Sequence, residues 1–265
     1  MSQVQLDNIH ISVRDAYGKV AQSDDSGCGC GVPTSCCGTA PDLEDFSVKL
    51  GYSVEQLKAV PGGSDMGLGC GNPQAIAELQ VGETVIDLGS GGGFDCFLAA
   101  RAVTDAGRVI GVDMTPAMLS KARNNALSGA YGNVEFRLGE IEFLPVADDT
   151  ADVIISNCVI NLSPDKQQVF NEAFRVLKSG GRLAISDVVA SCELPDEVKN
   201  DLELYSACVS GASLIDELET YMANAGFTDI RIDPKEESAE FIREWAPGRK
   251  IEDLVVSASI QAIKP

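Results

Sequence analysis

"TVIDLGSGGGFD", residues 84–95, decides the fold. It opens on a short apolar run, the length of a buried strand rather than of a helix. The run stops at four glycines, Gly89, Gly91, Gly92 and Gly93. Glycine accepts tight, left-handed backbone and lets a ligand approach without meeting a Cβ. The stretch therefore predicts a strand, a glycine turn and then a helix over 94–105.

The same alternation continues outward. "RVIGVD" (108–113) reads as a second strand. A helix follows over 115–129, with Thr115 as N-cap and Pro116 in its first turn. "VEFRLGE" (134–140) and "ADVIISN" (151–157) read as the third and fourth strands. The spacing then predicts a helix over 164–178, closed by the glycines of "LKSGG", and a fifth strand over 182–188. Helices over 195–209 and 213–225 follow, and the strand-like runs "FTDIRIDP" and "LVVSASIQAIKP" can complete the sheet. Strands alternating with helices imply an α/β fold: a doubly wound, mostly parallel sheet that binds ligands at the carboxyl ends of its strands. Upstream, residues 1–20 read as a polar helix and 21–42 as a Gly/Ser/Pro-rich loop with four cysteines. Residues 53–60 suggest a short helix, 61–73 a glycine-rich loop, and Pro73 starts another helix. The expected division is 1–72 (helix and cysteine-rich loop), 73–190 (Rossmann-like domain) and 191–265 (an insertion plus sheet-completing strands).

Composition narrows the function. The chain has 265 residues, 45% of them hydrophobic, enough for a self-sufficient core. A net charge of −20 repels nucleic-acid backbones and anionic lipid, so neither is an expected partner. No signal-peptide pattern and no bilayer-length apolar run is present, so a soluble cytoplasmic protein is expected. In that compartment the nine cysteines, an odd number, should be mostly thiols. His10 is the sole histidine, which excludes histidine-rich zinc sites and disfavours a histidine base.

The second strand ends in Asp113, placed to bond a ribose diol. A dinucleotide fingerprint would need glycine at 94, where Phe94 stands, and Asp87 precedes the first glycine by two residues. The strand, "DLGSGGG" turn and acid-ended strand resemble class I S-adenosylmethionine-dependent methyltransferases. That resemblance implies S-adenosyl-L-methionine as cofactor. It assigns Asp87, Gly89, Ser90, Gly91, Asp113, Met114, Glu140, Ile141 and Asn157 to its site, with Glu140 and Ile141 near the adenine.

The fourth strand runs into "SNCVINL" (156–162), where such folds place the methyl acceptor. Without a histidine to take a proton, an acceptor with its own lone pair is favoured. Trivalent arsenic has one, and it is thiophilic. Cys158 lies at this strand end, Cys70 in "GLGCGNP" and Cys208 in "CVSGA". Together with "IDLGSGGGFDCFLAA" and "VIGVDMTPAML", these blocks resemble the signature blocks of arsenite methyltransferases, in the same order. The resemblance implies that Cys70, Cys158 and Cys208 bind As(III) as thiolates. It also implies a small-molecule arsenical and thiol as partners, and a thiol reductant of glutathione or thioredoxin type. Cys36 and Cys37 match an accessory pair, serving arsenic transfer or a disulfide with Cys70, while Cys28 and Cys30 are additional. Two other functions remain open on the residues alone: a C- or O-methyltransferase of quinone-biosynthesis type, and a cysteine-rich As(III)-binding protein without turnover. Cys96, Cys192, Phe241 and Trp245 are expected to pack, and Phe94 to flank the cofactor.

Overall fold

A computed structural model describes residues 3–22 and 43–265, and Cys28, Cys30, Cys36 and Cys37 lie outside the described residues. The chain begins with α1 (Gln3–Gln22), α2 (Leu43–Lys49), α3 (Val54–Lys58) and α4 (Gln74–Ala77). The alternating part follows as β1 (Thr84–Leu88), α5 (Phe94–Val103), β2 (Arg108–Asp113), α6 (Pro116–Ser128), β3 (Val134–Leu138), β4 (Ala151–Asn157), α7 (Lys166–Val176) and β5 (Leu177–Ala190). Then come α8 (Asp196–Lys199), α9 (Leu202–Ser206), α10 (Ile215–Ala225), β6 (Thr228–Lys235), α11 (Ala239–Trp245) and β7 (Val255–Ile263).

The strands form one sheet in the order β3-β2-β1-β4-β5-β7-β6. The first five are parallel, and β7 runs antiparallel to both β5 and β6. The expected doubly wound architecture is therefore present, with an antiparallel edge made by the two C-terminal runs. β1 and β2 are buried on both faces, as strands sandwiched between helix layers must be. One face packs on α7 and α10 through Phe170, Leu218 and Met222, the other on α5 and α6 through Phe97 and Leu119. The order reverses between β1 and β4, and that crevice lies where loops from both halves meet. Among the described residues no helix is long and apolar enough to cross a membrane.

Three local expectations are revised. The helix predicted over 164–178 ends at Val176, because Leu177 turns extended (φ −72°, ψ 143°) and pairs with Ala151 of β4. Gly180 and Gly181 therefore do not cap a helix. They sit in β5, tied to Lys264 by backbone bonds of 2.8 and 2.9 Å. The helix predicted over 195–209 breaks into α8 and α9. Asp201 bonds the amides of Glu203 (2.9 Å) and Leu204 (3.1 Å), starting a new helix. α2 and α11 were not expected. Each has seven residues, too few to display a period, and α11 is held by burying Phe241, Ile242 and Trp245.

Candidate active site

β1 delivers the chain into the glycine turn with its backbone already anchored. Gly89 and Ser90 donate to the Val112 carbonyl of β2 at 2.8 and 3.0 Å. Gly89 has φ +70°, and a Cβ there would lie 2.4 Å from a methyl of Val159. Gly91 (φ +49°) has open space where its Cβ would be, so a ligand can reach its backbone. At the end of β2, Asp113 accepts the Gly91 amide at 2.9 Å and the Thr115 amide at 2.7 Å. Each oxygen of that carboxylate keeps a lone pair for a ligand. The Ser90 hydroxyl is buried and has no partner. These groups open onto a cavity of ≈ 940 Å³, which Phe94, Met114 and Ile141 also line.

Beneath the turn lies a buried polar network. Asp87 accepts the Cys96 thiol at 3.1 Å, which gives that thiol a partner within its packing site. Burial, with Asp95 and Asp113 nearby, pushes the Asp87 carboxyl well up. Asp95 accepts the Tyr52 hydroxyl at 2.9 Å and lies 3.3 Å from the Asn157 amide. Burial raises the Asp95 carboxyl to about 6, against the pull of these donors. The Tyr52 ring meets Phe94 edge-on at 4.9 Å.

The three thiols singled out in the sequence converge in an apolar cluster of their own. Cys70, Cys158 and Cys208 pack with Val13 of α1, Tyr205 of α9 and Trp245 of α11. Cys70 is 1% exposed, Cys208 2% and Cys158 8%, so each is shielded from water. The Cys208 thiol donates to the Cys158 carbonyl at 2.8 Å. The Cys70 and Cys158 sulfurs and a carboxylate oxygen of Asp187 all lie within 4.8 Å of one another. Cys158 (φ +59°) and Cys208 (φ +61°) adopt left-handed backbone, which costs a non-glycine residue about 1–2 kcal/mol. Hydrogen bonding with the Cys208 and Cys70 side chains, then burial, pushes the Cys158 thiol well up. Burial likewise raises Cys70. Both shifts favour the thiol over the thiolate at Cys70 and Cys158. Asp187 closes the floor. It accepts the Ile160 amide (2.8 Å), the Asn161 side chain (2.9 Å) and the Val188 amide (2.7 Å), and burial raises it to about 6.

α1 roofs the cavity through Val13, Tyr17 and Val20. His10 bonds Glu142 at 3.1 Å, Glu142 also accepts the Ser163 hydroxyl, and Arg14 reaches Glu140 at 3.3 Å. Of the residues assigned from the sequence to a cofactor, Asp87, Gly89, Ser90, Gly91, Asp113, Met114, Ile141 and Asn157 line the cavity. Glu140 instead faces α1, bound to Arg14 and 3.7 Å from His10. Trp245 packs on Phe241 and also lines the cavity, and Cys192 is exposed. Sequence reasoning missed Tyr52, Asp95, Glu142 and Asp187. An acid inside an apolar strand, as in "RLAISDV", was the available signal for Asp187.

A glycine turn, an acid-ended second strand and a cavity at the strand-order reversal define a class I methyltransferase fold. A methyltransferase-domain family matches residues 79–226. A geranyl diphosphate methyltransferase solved with its cofactor shares the fold (TM-score 0.61, 18% identity, 73% of this chain and 82% of that one). The chain belongs to the arsenite methyltransferase family. It is 50% identical to an arsenite methyltransferase of Halobacterium salinarum over 96% of its length, covering 66% of that protein. It is 35% identical to one of Mus musculus over 85% of its length, covering 60% of that protein. An arsenic(III) S-adenosylmethionine methyltransferase structure from Chlamydomonas reinhardtii superposes with a TM-score of 0.62 at 32% identity, covering 86% of this chain and 75% of that one. The chain thus spans roughly 60–66% of the length of these curated relatives.

Proposed function

We propose that the protein transfers a methyl group from S-adenosyl-L-methionine to trivalent arsenic held by Cys70, Cys158 and Cys208. The observation that carries this reading is the packing of three buried cysteines in one cluster at the end of β4, with the Cys70 and Cys158 sulfurs within 4.8 Å of each other and the Cys208 thiol on the Cys158 carbonyl. A quinone or phenol acceptor gives no reason for three thiols to gather there.

The residues fit the cofactor. The partnerless Ser90 hydroxyl, the spare lone pairs of Asp113 and the open backbone at Gly91 are the donors, acceptors and room that a ribose and an amino-acid tail require. When bound, S-adenosylmethionine supplies an electrophilic methyl on a sulfonium. The chain's part is to hold the nucleophile and exclude water. Arsenite brings three hydroxides, and each leaves as water with one thiol proton, leaving a pyramidal arsenic on three sulfurs. Cys158 and Cys208 line the cavity, so arsenic held there turns its lone pair toward the methyl donor, and positioning rather than proton removal drives the step. Taking the methyl raises arsenic from the trivalent to the pentavalent state. A thiol reductant, glutathione or a thioredoxin-like protein, returns it. This chemistry suits a reducing cytoplasm, where buried thiols stay free.

The test is to incubate the protein with arsenite, a thiol and S-adenosylmethionine and to speciate the arsenic. Methylarsenicals are expected from the wild type. Cys158→Ser should form none, yet bind the cofactor as the wild type does. Full activity in that variant would sink the proposal. Arsenite binding without turnover would make the protein a metalloid buffer instead.

A further inference from the structure

Asn157 ends β4 and directly precedes Cys158. It lines the cavity, and its side chain bonds the loop that carries Cys70. Its Oδ1 accepts the Cys70 amide at 3.1 Å, and its Nδ2 donates to the Gly71 carbonyl at 2.9 Å. Nδ2 also lies 2.9 Å from the Tyr52 hydroxyl and 3.3 Å from Asp95. An amide side chain offers two N–H donors and one carbonyl oxygen. One backbone donor and one backbone acceptor, on successive residues, fix its orientation without ambiguity. Tyr52 donates its own proton to Asp95 at the start of α5, so the clamp is anchored to the cofactor half.

The loop is shaped to meet that amide. Gly69 has φ +148°, and a Cβ there would lie 2.9 Å from both Nδ2 and Oδ1 of Asn157. On the far side Ser257 of β7 donates to the Cys70 carbonyl at 2.6 Å. Cys70 thus hangs between two side-chain grips. Cys158 is held separately, by its amide on the Ser186 carbonyl at 2.8 Å, and Cys208 by its amide on the Tyr205 carbonyl at 3.0 Å. Loss of the Asn157 amide therefore releases one thiol of the three.

We propose that Asn157 is a positioning residue that sets Cys70 as the third arsenic thiolate, and so decides whether inorganic arsenite, rather than an already methylated arsenical, is accepted. The inference rests on the arsenic reading given above. Arsenite exchanges three hydroxides and needs three sulfurs. A trivalent monomethyl arsenical exchanges two, and Cys158 with Cys208 suffice. A loosened Cys70 therefore handicaps the first substrate and spares the second.

The experiment uses the full chain with Asn157→Ala. A second variant, Tyr52→Phe, keeps the ring on Phe94 and removes the hydroxyl that accepts from the Asn157 amide and donates to Asp95. Three quantities are read: kcat/KM on arsenite and on trivalent monomethyl arsenical, S-adenosylhomocysteine affinity by calorimetry, and alkylation of Cys70 with and without arsenite by peptide mass spectrometry. For Asn157→Ala, kcat/KM on arsenite should fall by at least about tenfold, a scale set by sub-ångström misplacement, and by less than about threefold on the monomethyl substrate. Arsenite should no longer protect Cys70 from alkylation, while Cys158 and Cys208 remain protected. Tyr52→Phe should show the same split at smaller size and decides the matter if the alanine variant does not fold. Equal losses on both substrates, a weaker S-adenosylhomocysteine complex, or unchanged Cys70 alkylation in the folded variants overturns the proposal. If the wild type does not methylate arsenite, the arsenic reading fails by itself, and Cys70 alkylation still reports whether Asn157 holds the loop.

Discussion

The glycine turn and the thiol pocket use the same unusual backbone with opposite residues. Around the cofactor cavity, positive φ falls on Gly89, Gly91 and Gly93, where it costs almost nothing. In the thiol pocket it falls on Cys158 and Cys208, where each position costs about 1–2 kcal/mol. In the first region a side chain would clash at Gly89 and Gly93 or fill the open space at Gly91. In the second, under the proposed function, the sulfur is the point of contact, and the strained backbone is what aims it.

Three changes test that contrast. The largest effect is expected from Gly89→Ala, which adds a Cβ 2.4 Å from Val159 at φ +70°. Strain and overpacking together should lower stability by roughly 2–4 kcal/mol in urea denaturation and weaken cofactor binding. A variant as stable as the wild type would show that the turn does not need glycine. Next, the strain account requires Cys208→Gly to be no less stable than Cys208→Ala, although it buries less. Cys70 has no positive φ, so there the glycine variant should be the weaker of the pair by about 1 kcal/mol. The same ordering at both cysteines would refute stored strain.

The smallest effect concerns the roof over both regions. The Glu142 carboxylate raises His10 above its ordinary 6.5, so that contribution is complete below 6.5 and is lost as pH rises through the raised value. Glu142 itself is held below its ordinary 4.5 by His10 and Ser163, against the upward push of burial, and its contribution is lost as pH falls through the lowered value. Glu140 and Arg14 are the other charges facing His10, with opposite signs. Protection factors of α1 amides should therefore peak between about pH 4.5 and 6.5. His10→Gln should flatten the profile by about 1 kcal/mol or less. A flat wild-type profile would show that the ion pair does not secure α1.

The parallel strands were legible because buried apolar runs ending in glycine or acid carry their own boundaries. Cys70, Cys158 and Cys208 were legible as a set only through their sequence blocks, since residues so far apart in the chain have no periodicity in common. What stayed hidden arises from tertiary contact. Leu177 is drawn out of a helix by Ala151, and Asp201 restarts one by capping it. Asn157 looks like any polar strand end until the loop at Cys70 folds onto it. Glu140 and Glu142 sit two residues apart in "GEIEF", and only the docking of α1 shows which one lines the cavity.

The hydrogen bond from Ser257 to Cys70 sets an order of assembly. β7 leaves the ribosome after every thiol of the pocket, and it must insert between β5 and β6 before Cys70 has its second grip. Until then Cys70 is held on one side only, by the Asn157 amide. Under the proposed function, the complete three-thiol site therefore forms only once β7 is in place.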